Sequence, residues 1–385
     1  MLEKVLVGDR RYWTWTLSLL AVAGVGAGVY LAQQITGVEG SGLSRDVAWG
    51  FFIANYTFFV GVAASAVVVV LPYYLHDRKE FGNMTALGEF LAVAAVSVAG
   101  LFIIVDLGQP QRLLNILIYP TPNSPFFWNT IVLPGYALLN VVIAWFTLDA
   151  QRKDVAPPRW VKWLILVSIP WAISIHTLTA FVYSGLAARP FWNTAILAPR
   201  FLASAFASGP ALLIILALLV RRFTRFDPGI RALQTVGLIV TYAMVINLFF
   251  VFVELFVTFY TGLESHIEHF RYLYLGIEGH GALVPWMWVS GVMAVGAVVL
   301  LLMPGVRSNE KLLATACALV FISTWIDKGL GLVVGGFVPS PLRDITEYMP
   351  EVSELVIALG VYAAGLLILT ALYRVAIAVK EETAS

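Results

Sequence analysis

The sequence contains little charge and almost no cysteine. Only 12% of its 385 residues are charged, whereas a soluble domain has about 25%, so a water-exposed surface of this size cannot be made. The single cysteine, Cys317, excludes a disulfide framework and any four-cysteine zinc or iron–sulfur site within the chain. Any iron–sulfur chemistry must therefore come from a partner. A net charge of +1 gives no indication of a nucleic-acid partner.

What the chain has instead is hydrophobic sequence, which makes up 60% of its residues. A helix needs about 20 mostly apolar residues to cross a bilayer, and only helices satisfy their backbone groups at this length. The first apolar stretch is too long for a signal peptide, so we expect it to be retained. The sequence predicts a single polytopic, all-α membrane domain over residues 1–385. Its ten predicted spans are 14–34, 48–75, 87–107, 129–149, 161–184, 201–220, 236–262, 283–303, 311–334 and 355–378.

Lys and Arg residues are distributed unequally between the two sides of these spans. Seventeen lie on one side and six on the other, with Lys328 inside a predicted span. Because cytoplasmic loops carry an excess of Lys and Arg, we expect a protein of the cytoplasmic membrane with both termini in the cytoplasm. The connections on the opposite, outer side are longer and rich in aromatic residues, and we expect that side to bind partners.

Two outer connections carry a similar motif. Residues 125–130 read PFFWNT and residues 190–194 read PFWNT, and each motif precedes an apolar run containing a proline. Asn and Thr are favoured at helix N-caps, so each motif predicts a capped helix start. The pair indicates either a duplicated helical hairpin or aromatic residues placed independently at the membrane interface.

Most ionisable residues within the predicted spans fall in their outer halves. Such residues are costly in a bilayer and are functional candidates, while inner segments such as 67–71 and 212–219 are aliphatic. A pocket open only toward the outer leaflet suits an amphipathic ligand, and a quinone would need proton donors and acceptors near its ring oxygens. The candidates are Asn55, Tyr56, Asp106, His176, Arg200, Glu254, Asp327 and Lys328.

Several of these residues also allow a purely structural interpretation. His176 could be a packing histidine, and Asp106 could simply end its helix beside Arg112. Glu254, surrounded by Phe residues, needs a partner or a proton. Asp327 and Lys328 are predicted as an intramembrane ion pair. Because adjacent helical side chains project about 100° apart, each is expected to pair with another helix, with Lys328 as the counter-ion of Glu254 or Asp106.

The remaining histidines do not indicate a metal or haem. A haem b needs two axial histidines in facing spans, and only His176 lies well inside a span. His266 and His269 have a spacing that could ligate a metal, but no cysteine supports such a site. The sequence therefore predicts neither a haem, nor an iron–sulfur cluster, nor another metal in this chain.

A set of segments resembles the NrfD/PsrC-like family of integral membrane subunits. The matching segments are WGFFIANY at 49–56, GVAAS at 61–65, DLGQPQR at 106–112, HTLTAF at 176–181, RPFWNT through PRFLASA at 189–205, and DKG through GF at 327–337. The ten-span length resembles the long branch that includes the DsrP subunits. The resemblance implies two four-helix bundles plus two peripheral helices, a quinone pocket near the outer face, and a docked iron–sulfur protein.

Residues and resemblance together suggest a quinone-reactive subunit of a respiratory redox complex, working in sulfur metabolism or anaerobic respiration. Menaquinone, or another quinone, would bind between predicted spans 2, 3, 5 and 7. The expected partners are an outer ferredoxin-like iron–sulfur subunit and further membrane and cytochrome subunits. The proposed catalytic residues are His176, Asp106 and Glu254, and the proposed quinone-binding residues are Asn55, Tyr56, Tyr183, Trp192, Asn193 and Arg200.

Two other functions remain open at this point. A secondary transporter for a small anion could use Arg200 and Lys328 as counter-charges. A structural anchor could tether redox subunits without taking part in their chemistry.

Overall fold

A computed structural model describes residues 2–36 and 41–384. Within these ranges the chain is helical with no β-strand, and ten helices are long and apolar enough to cross a membrane. The prediction of an all-α membrane protein with ten spans is confirmed. Spans 1 to 10 are Arg10–Ile35, Phe51–Leu75, Lys79–Asp106, Pro125–Arg152, Arg159–Ser184, Leu197–Phe223, Ile230–Thr261, Val284–Leu302, Glu310–Phe337 and Val352–Glu382.

The spans form two four-helix groups and a peripheral pair, as expected. Spans 2–5 pack as the first bundle and spans 6–9 as the second, and spans 2 and 5 contact span 6 across the interface. Span 10 lies against spans 3 and 4, and span 1 packs mainly on span 10. That last contact needs glycine, because a Cβ on Gly26 would lie 2.6 Å from Gly360 Cα. Most side chains of span 1 are exposed.

The connections define two faces. We call the side formed by 41–50, 107–124, 185–196, 262–283 and 338–351 the long-loop face. The side formed by 76–78, 153–158, 224–229 and 303–309 is the basic face. The side chain of Lys4 pairs with Glu382 on the basic face, so both termini lie there.

Two spans have irregular backbone within their length. Span 2 consists of helices Phe51–Val62 and Ser65–Leu75, separated by a turn at Ala63 and Ala64. Gly209 of span 6 packs into this turn, where a Cβ would come within 2.7 Å of Val62 O. In span 9 the helix changes at Ile326–Val334 to π-helical winding, which is rare and often found at functional sites.

The predicted Asn-Thr helix caps are wrong. Span 4 begins at Pro125 with Ser124 as its N-cap residue, so Asn129 lies inside the helix. Span 6 begins at Leu197 with Ile196 as its N-cap residue, and Asn193 precedes it in an exposed connection. The two PF-W-N-T motifs therefore occupy different local structures, because the second one forms a separate 3-10 turn at Pro190–Trp192.

Candidate functional site

A cavity of about 340 Å³ lies between spans 3 and 4 in the long-loop half of the first bundle. Its volume falls within the range of roughly 300–1,000 Å³ typical of small-molecule sites. Most of its wall is apolar, and its main polar groups come from Tyr56 and Asn129. The lining residues are Tyr56, Val96, Ser97, Gly100, Ile103, Ile104, Leu113, Phe126, Asn129, Thr130, Leu133, Pro134 and Ala137.

The polar end of the cavity is held by hydrogen bonds between three spans. Asn129 Nδ2 of span 4 donates to the Tyr56 hydroxyl of span 2. Thr179 Oγ1 of span 5 lies 3.2 Å from Asn129 Oδ1 and donates to it. All three side chains are buried. A phenol and an amide fixed in an otherwise apolar pocket can hydrogen-bond a ligand carbonyl or hydroxyl in a set orientation.

His176 lies one turn before Thr179 on span 5 and is 1% exposed. Neither ring nitrogen has a hydrogen-bond partner among the described residues. Buried polar groups are nearly always hydrogen-bonded, so an unpaired imidazole is unusual for a packing residue. These observations favour a functional over a packing role for His176.

A cluster of aromatic rings covers the first bundle at the long-loop face. Trp49 and Trp192 stack with ring centroids 5.8 Å apart, and Tyr183 meets them edge-on at 5.4 Å and 5.1 Å. Trp192 Nε1 donates to Leu332 O at 2.8 Å, and Tyr183 hydrogen-bonds Thr57. Trp192 and Tyr183 thus form a rigid layer between the face and the buried polar groups, whereas Asn193 is exposed beside it.

A buried ionic cluster occupies the long-loop half of the second bundle. Arg200 of span 6 pairs with Glu254 of span 7, and its other terminal nitrogen donates to both Asp327 oxygens of span 9 at 2.8 Å and 2.9 Å. One planar guanidinium therefore neutralises two carboxylates through its fork of donors. We call Arg200, Glu254 and Asp327 the ionic triad.

Lys328 does not have the role that the sequence suggested. Arg200, not Lys328, is the counter-ion of Glu254. Lys328 Nζ lies 3.5 Å from Phe201 O and 4.2 Å from the centroid of the Phe201 ring. Among the described residues, no carboxylate comes within 4.0 Å of it. The sequence missed the partner because Arg200 was placed at the end of its span.

Comparison with known proteins identifies the family. The family model described as "Polysulphide reductase, NrfD" matches residues 40–335. The chain belongs to the NrfD family. It is 25% identical over 406 aligned residues to a protein of Halobacterium salinarum named as a putative dimethyl sulfoxide reductase membrane subunit, covering 94% of this chain and 90% of the relative.

Two further relatives show the range of complexes in which this family is found. A selenate reductase subunit from Mesobacillus selenatarsenatis is 27% identical over 297 residues, covering 68% of this chain and 67% of the relative. An Hdr-like menaquinol oxidoreductase integral membrane subunit of Archaeoglobus fulgidus is 24% identical over 252 residues, covering 65% and 62%.

In this NrfD-family chain Asp106 lies apart from the span 3–4 cavity. It lines a small polar pocket with Gln33, Gln34 and Glu354 at the ends of spans 1, 3 and 10, and its Oδ1 has no partner among the described residues. The Glu354 carboxylate accepts from Gly42 N at 3.0 Å and Glu351 N at 2.8 Å. Glu354 therefore links the connections 41–50 and 338–351 to span 10, and Asp106 lines the same small pocket.

Asn55 and Tyr56 have different hydrogen-bond partners. Asn55 Oδ1 accepts from Trp325 Nε1 at 2.8 Å and from the Tyr362 hydroxyl. Trp325 and Tyr362 line a larger, almost wholly apolar cavity of about 470 Å³ between the bundles and span 10. Because its polar lining groups are already bonded to Asn55, this larger cavity offers few partners to a polar ligand. The smaller span 3–4 cavity is the better functional candidate.

The sequence-predicted residues thus form separate groups. Tyr56 lies at the span 3–4 cavity, and Tyr183 and Trp192 lie in the aromatic layer above it. Arg200, Glu254 and Asp327 form the ionic triad. Asn129 and Thr179 were missed, because Asn129 was interpreted as a helix cap and Thr179 was considered only as part of the family-matching segment 176–181. The spacing of His176, Thr179 and Tyr183, which places them on one face of span 5, is the sequence signal that could have identified Thr179.

A short helix, Glu264–Tyr274, lies on the long-loop face and is held there by a buried histidine. Its His269 is 2% exposed, and His269 Nδ1 lies 2.8 Å from Val338 O and 3.2 Å from Gly335 O. Both atoms are acceptors, so Nδ1 carries the proton and donates. Burial lowers the pKa of His269 to about 4, although the two backbone bonds oppose the shift.

We expect the docking of this helix to weaken on acidification. The pKa of His269 is about 4 when folded and about 6.5 in an unfolded chain, so its contribution is complete above about pH 6.5 and lost as the pH falls toward 4. Amide exchange of residues 264–274 should therefore accelerate over that range. In the His269→Asn variant, an amide that does not titrate can donate in place of Nδ1, and the acceleration should be absent. Equal acceleration in both proteins would contradict this assignment.

Proposed function

We propose that this chain is the quinone-binding membrane subunit of a respiratory redox complex, and that the quinone head group binds in the span 3–4 cavity. The observation that carries the proposal is the hydrogen-bonded pair of Tyr56 and Asn129 at the end of an apolar cavity. Membership of the NrfD family supports it, as does a relative named as a menaquinol oxidoreductase subunit. That name makes menaquinone the first candidate.

The cavity residues fit such a ligand. Tyr56 and Asn129 would hold a ring oxygen, and the apolar walls of spans 3 and 4 would contact the ring and the start of its tail. A bound quinone supplies two-electron, two-proton chemistry. Tyr56 and Asn129 fix its orientation, while His176 deeper in the bundle can accept or return a proton.

We further propose that an iron–sulfur subunit docks on the long-loop face, with other membrane and cytochrome subunits completing the complex. A depression of about 400 Å³ there is lined by Ala48, Trp49, Gly185, Leu186, Ala187, Ala188, Arg189 and Phe337. Arg189 donates to Phe337 O at 3.2 Å and Asp46 O at 3.1 Å, which makes the rim rigid. The aromatic layer lies directly beneath, between the depression and the Tyr183–Thr57 hydrogen bond.

The orientation follows from charge. We propose that the basic face is cytoplasmic, because it carries most of the Lys and Arg residues of the connections. The long-loop face and its partner would then lie on the outer side of the cell membrane.

The experiment is quinone extraction from the purified complex and from its Asn129→Leu and Tyr56→Phe variants. Each substitution removes one hydrogen bond to the ligand, worth about 1.4 kcal/mol, so quinone affinity should fall about tenfold. Tyr362→Phe, which alters the larger cavity, is the matched control and should retain the wild-type quinone content. Loss of quinone from Tyr362→Phe with retention in Asn129→Leu would place the ligand in the other cavity.

The anion-transporter alternative is not supported. Arg200, one of its two proposed counter-charges, is fully occupied by Glu254 and Asp327. The relatives are named as subunits of reductases and of an oxidoreductase.

A further inference from the structure

The basic-face half of the first bundle contains a buried carboxyl group that sequence reasoning missed. Glu89 of span 3 is 1% exposed and lies about 10 Å from the start of its helix. Neither of its oxygens has a hydrogen-bond partner among the described residues. The expectation that the inner halves of the spans are aliphatic is therefore wrong for this bundle. An ionisable group at such depth is a functional candidate.

Ionisable groups of spans 2, 4 and 10 are near enough to Glu89 to interact with it electrostatically. Tyr74 and Tyr136 are two of them. Lys380 of span 10 is the cation that interacts with Glu89, and its Nζ donates to Gly82 O at 2.6 Å, at the basic-face end of span 3. Lys380 thus provides a positive charge at the basic-face end of the helix that carries Glu89.

Above Glu89, polar side chains continue across the bundle. Measured along each helix from the long-loop face, Asn129 lies about 6 Å deep, His176 about 12 Å and Tyr136 about 16 Å. Asn140 follows at about 22 Å and Glu89 at about 26 Å. Successive groups therefore differ in depth by about 4–6 Å, so a polar side chain recurs at about every helical turn through this bundle.

The backbone along this series is also interrupted. The Tyr136 hydroxyl lies 3.4 Å from Ala63 O, at the turn that breaks span 2. Pro134 and Pro170 lie inside spans 4 and 5, and each deprives a carbonyl one turn earlier of its helical bond. Irregular backbone at membrane depth is tolerated where it is buried in protein or lines a hydrated path.

Among the described residues, the second bundle has no comparable buried carboxyl group below its ionic triad, which lies in the long-loop half. Residues 205–220, 232–247, 290–302 and 312–323 contain no Asp, Glu, Lys, Arg or His. A deep carboxyl group is therefore a feature of the bundle that holds the span 3–4 cavity.

We infer that Glu89 and His176 are proton-transfer residues of a route through spans 2–5 that connects the cavity with the basic face. The inference rests on the proposed function. When a quinol in the cavity is oxidised, its two electrons pass to the iron–sulfur partner and its two protons pass through His176 and Glu89 to the basic face. Reduction of a quinone uses the same route in reverse.

The test is the side on which protons are released. The purified complex is placed in liposomes containing a trapped pH-sensitive dye, and orientation is scored by protease access to the C-terminus, which lies on the basic face. A short-chain menaquinol is the donor, and ferricyanide outside the liposomes accepts electrons through the partner. With the basic face inward, the lumen should acidify by two protons per quinol oxidised. Lumen pH that stays constant in the wild-type complex during quinol oxidation would overturn the inference.

Variants test the residue itself. Glu89→Gln should abolish lumen acidification and lower turnover about tenfold or more, and Glu89→Asp should restore part of both. The matched control is Asp149→Asn, a basic-face carboxylate paired with Lys153 at 2.6 Å, which should behave as wild type. Unchanged acidification in Glu89→Gln would overturn the assignment even if quinone is bound. A wild-type complex that binds no quinone would instead refute the proposed function.

Discussion

Replacing Arg200 by methionine should remove a large part of the protein's stability in detergent. The substitution leaves Glu254 and Asp327 facing each other in the second bundle without the cation that now contacts both. Removing one partner from a buried ionic network typically costs 3–5 kcal/mol, which is a large part of the roughly 5–15 kcal/mol that holds a domain folded. We expect a much lower unfolding temperature and a reduced yield of monodisperse protein by size-exclusion chromatography.

The control is the triple variant Arg200→Met, Glu254→Gln and Asp327→Asn. Because it removes all three charges together, no unpaired charge stays buried, and replacement of a whole buried triad is often neutral or stabilising. We expect its unfolding temperature to recover most of the loss. Arg200→Lys should fall between the two, because an ammonium lacks the planar fork that binds two carboxylates. If Arg200→Met unfolds at the wild-type temperature, the triad is not a stabilising element.

Hydropathy was enough to predict the ten spans, because each needs about 20 apolar residues and little else. The grouping into two bundles came from family resemblance, since lipid-facing and bundle-facing residues are both apolar. Contacts such as the Gly26–Gly360 approach can be recognised only when both helices are placed. Hydropathy determines how many helices there are, and packing of small residues determines which of them meet.

Site residues were harder to predict, and angular position explains much of the difficulty. Asn55 and Tyr56 were expected to act on one ligand, yet neighbours in a helix point about 100° apart. Tyr56 accordingly bonds Asn129 of span 4, whereas Asn55 bonds Trp325 of span 9. The same geometry separates Asp327, which pairs with Arg200, from Lys328, which contacts Phe201. Adjacency in sequence is a poor guide to a shared site on a helix.

Glu89 was missed for a different reason. It lies near the beginning of an apolar run that was assigned as a span from residue 87, where a single carboxylate resembles an interfacial residue. In the structure the α-helix of span 3 starts at Gly82, after a 3-10 turn at Lys79–Phe81, so Glu89 lies about 10 Å into the bundle. A boundary error of five residues thus decides whether a carboxylate is interpreted as interfacial or as buried.

Replacing His176 by alanine should abolish electron transfer from quinol while leaving quinone bound. His176 lies about 6 Å deeper than Asn129, so the cavity groups Tyr56 and Asn129 keep their hydrogen bond. A positioned proton donor or acceptor contributes typically 10²–10⁴-fold to rate. We expect menaquinol oxidation by the purified complex to slow at least about a hundredfold, with quinone content per chain unchanged.

The matched control is His76→Ala, which removes an exposed histidine at the basic face and should leave both quantities unaltered. A structural anchor, which only tethers the redox subunits, predicts normal turnover in both variants and would be supported by that result. Loss of bound quinone from His176→Ala would assign the imidazole to head-group binding instead of proton transfer. The comparison separates quinone affinity from turnover. It tests the depth of His176, whose unpaired ring nitrogens lie deeper than the cavity and less deep than Glu89. A proton that moves between the basic face and the quinone must pass this level.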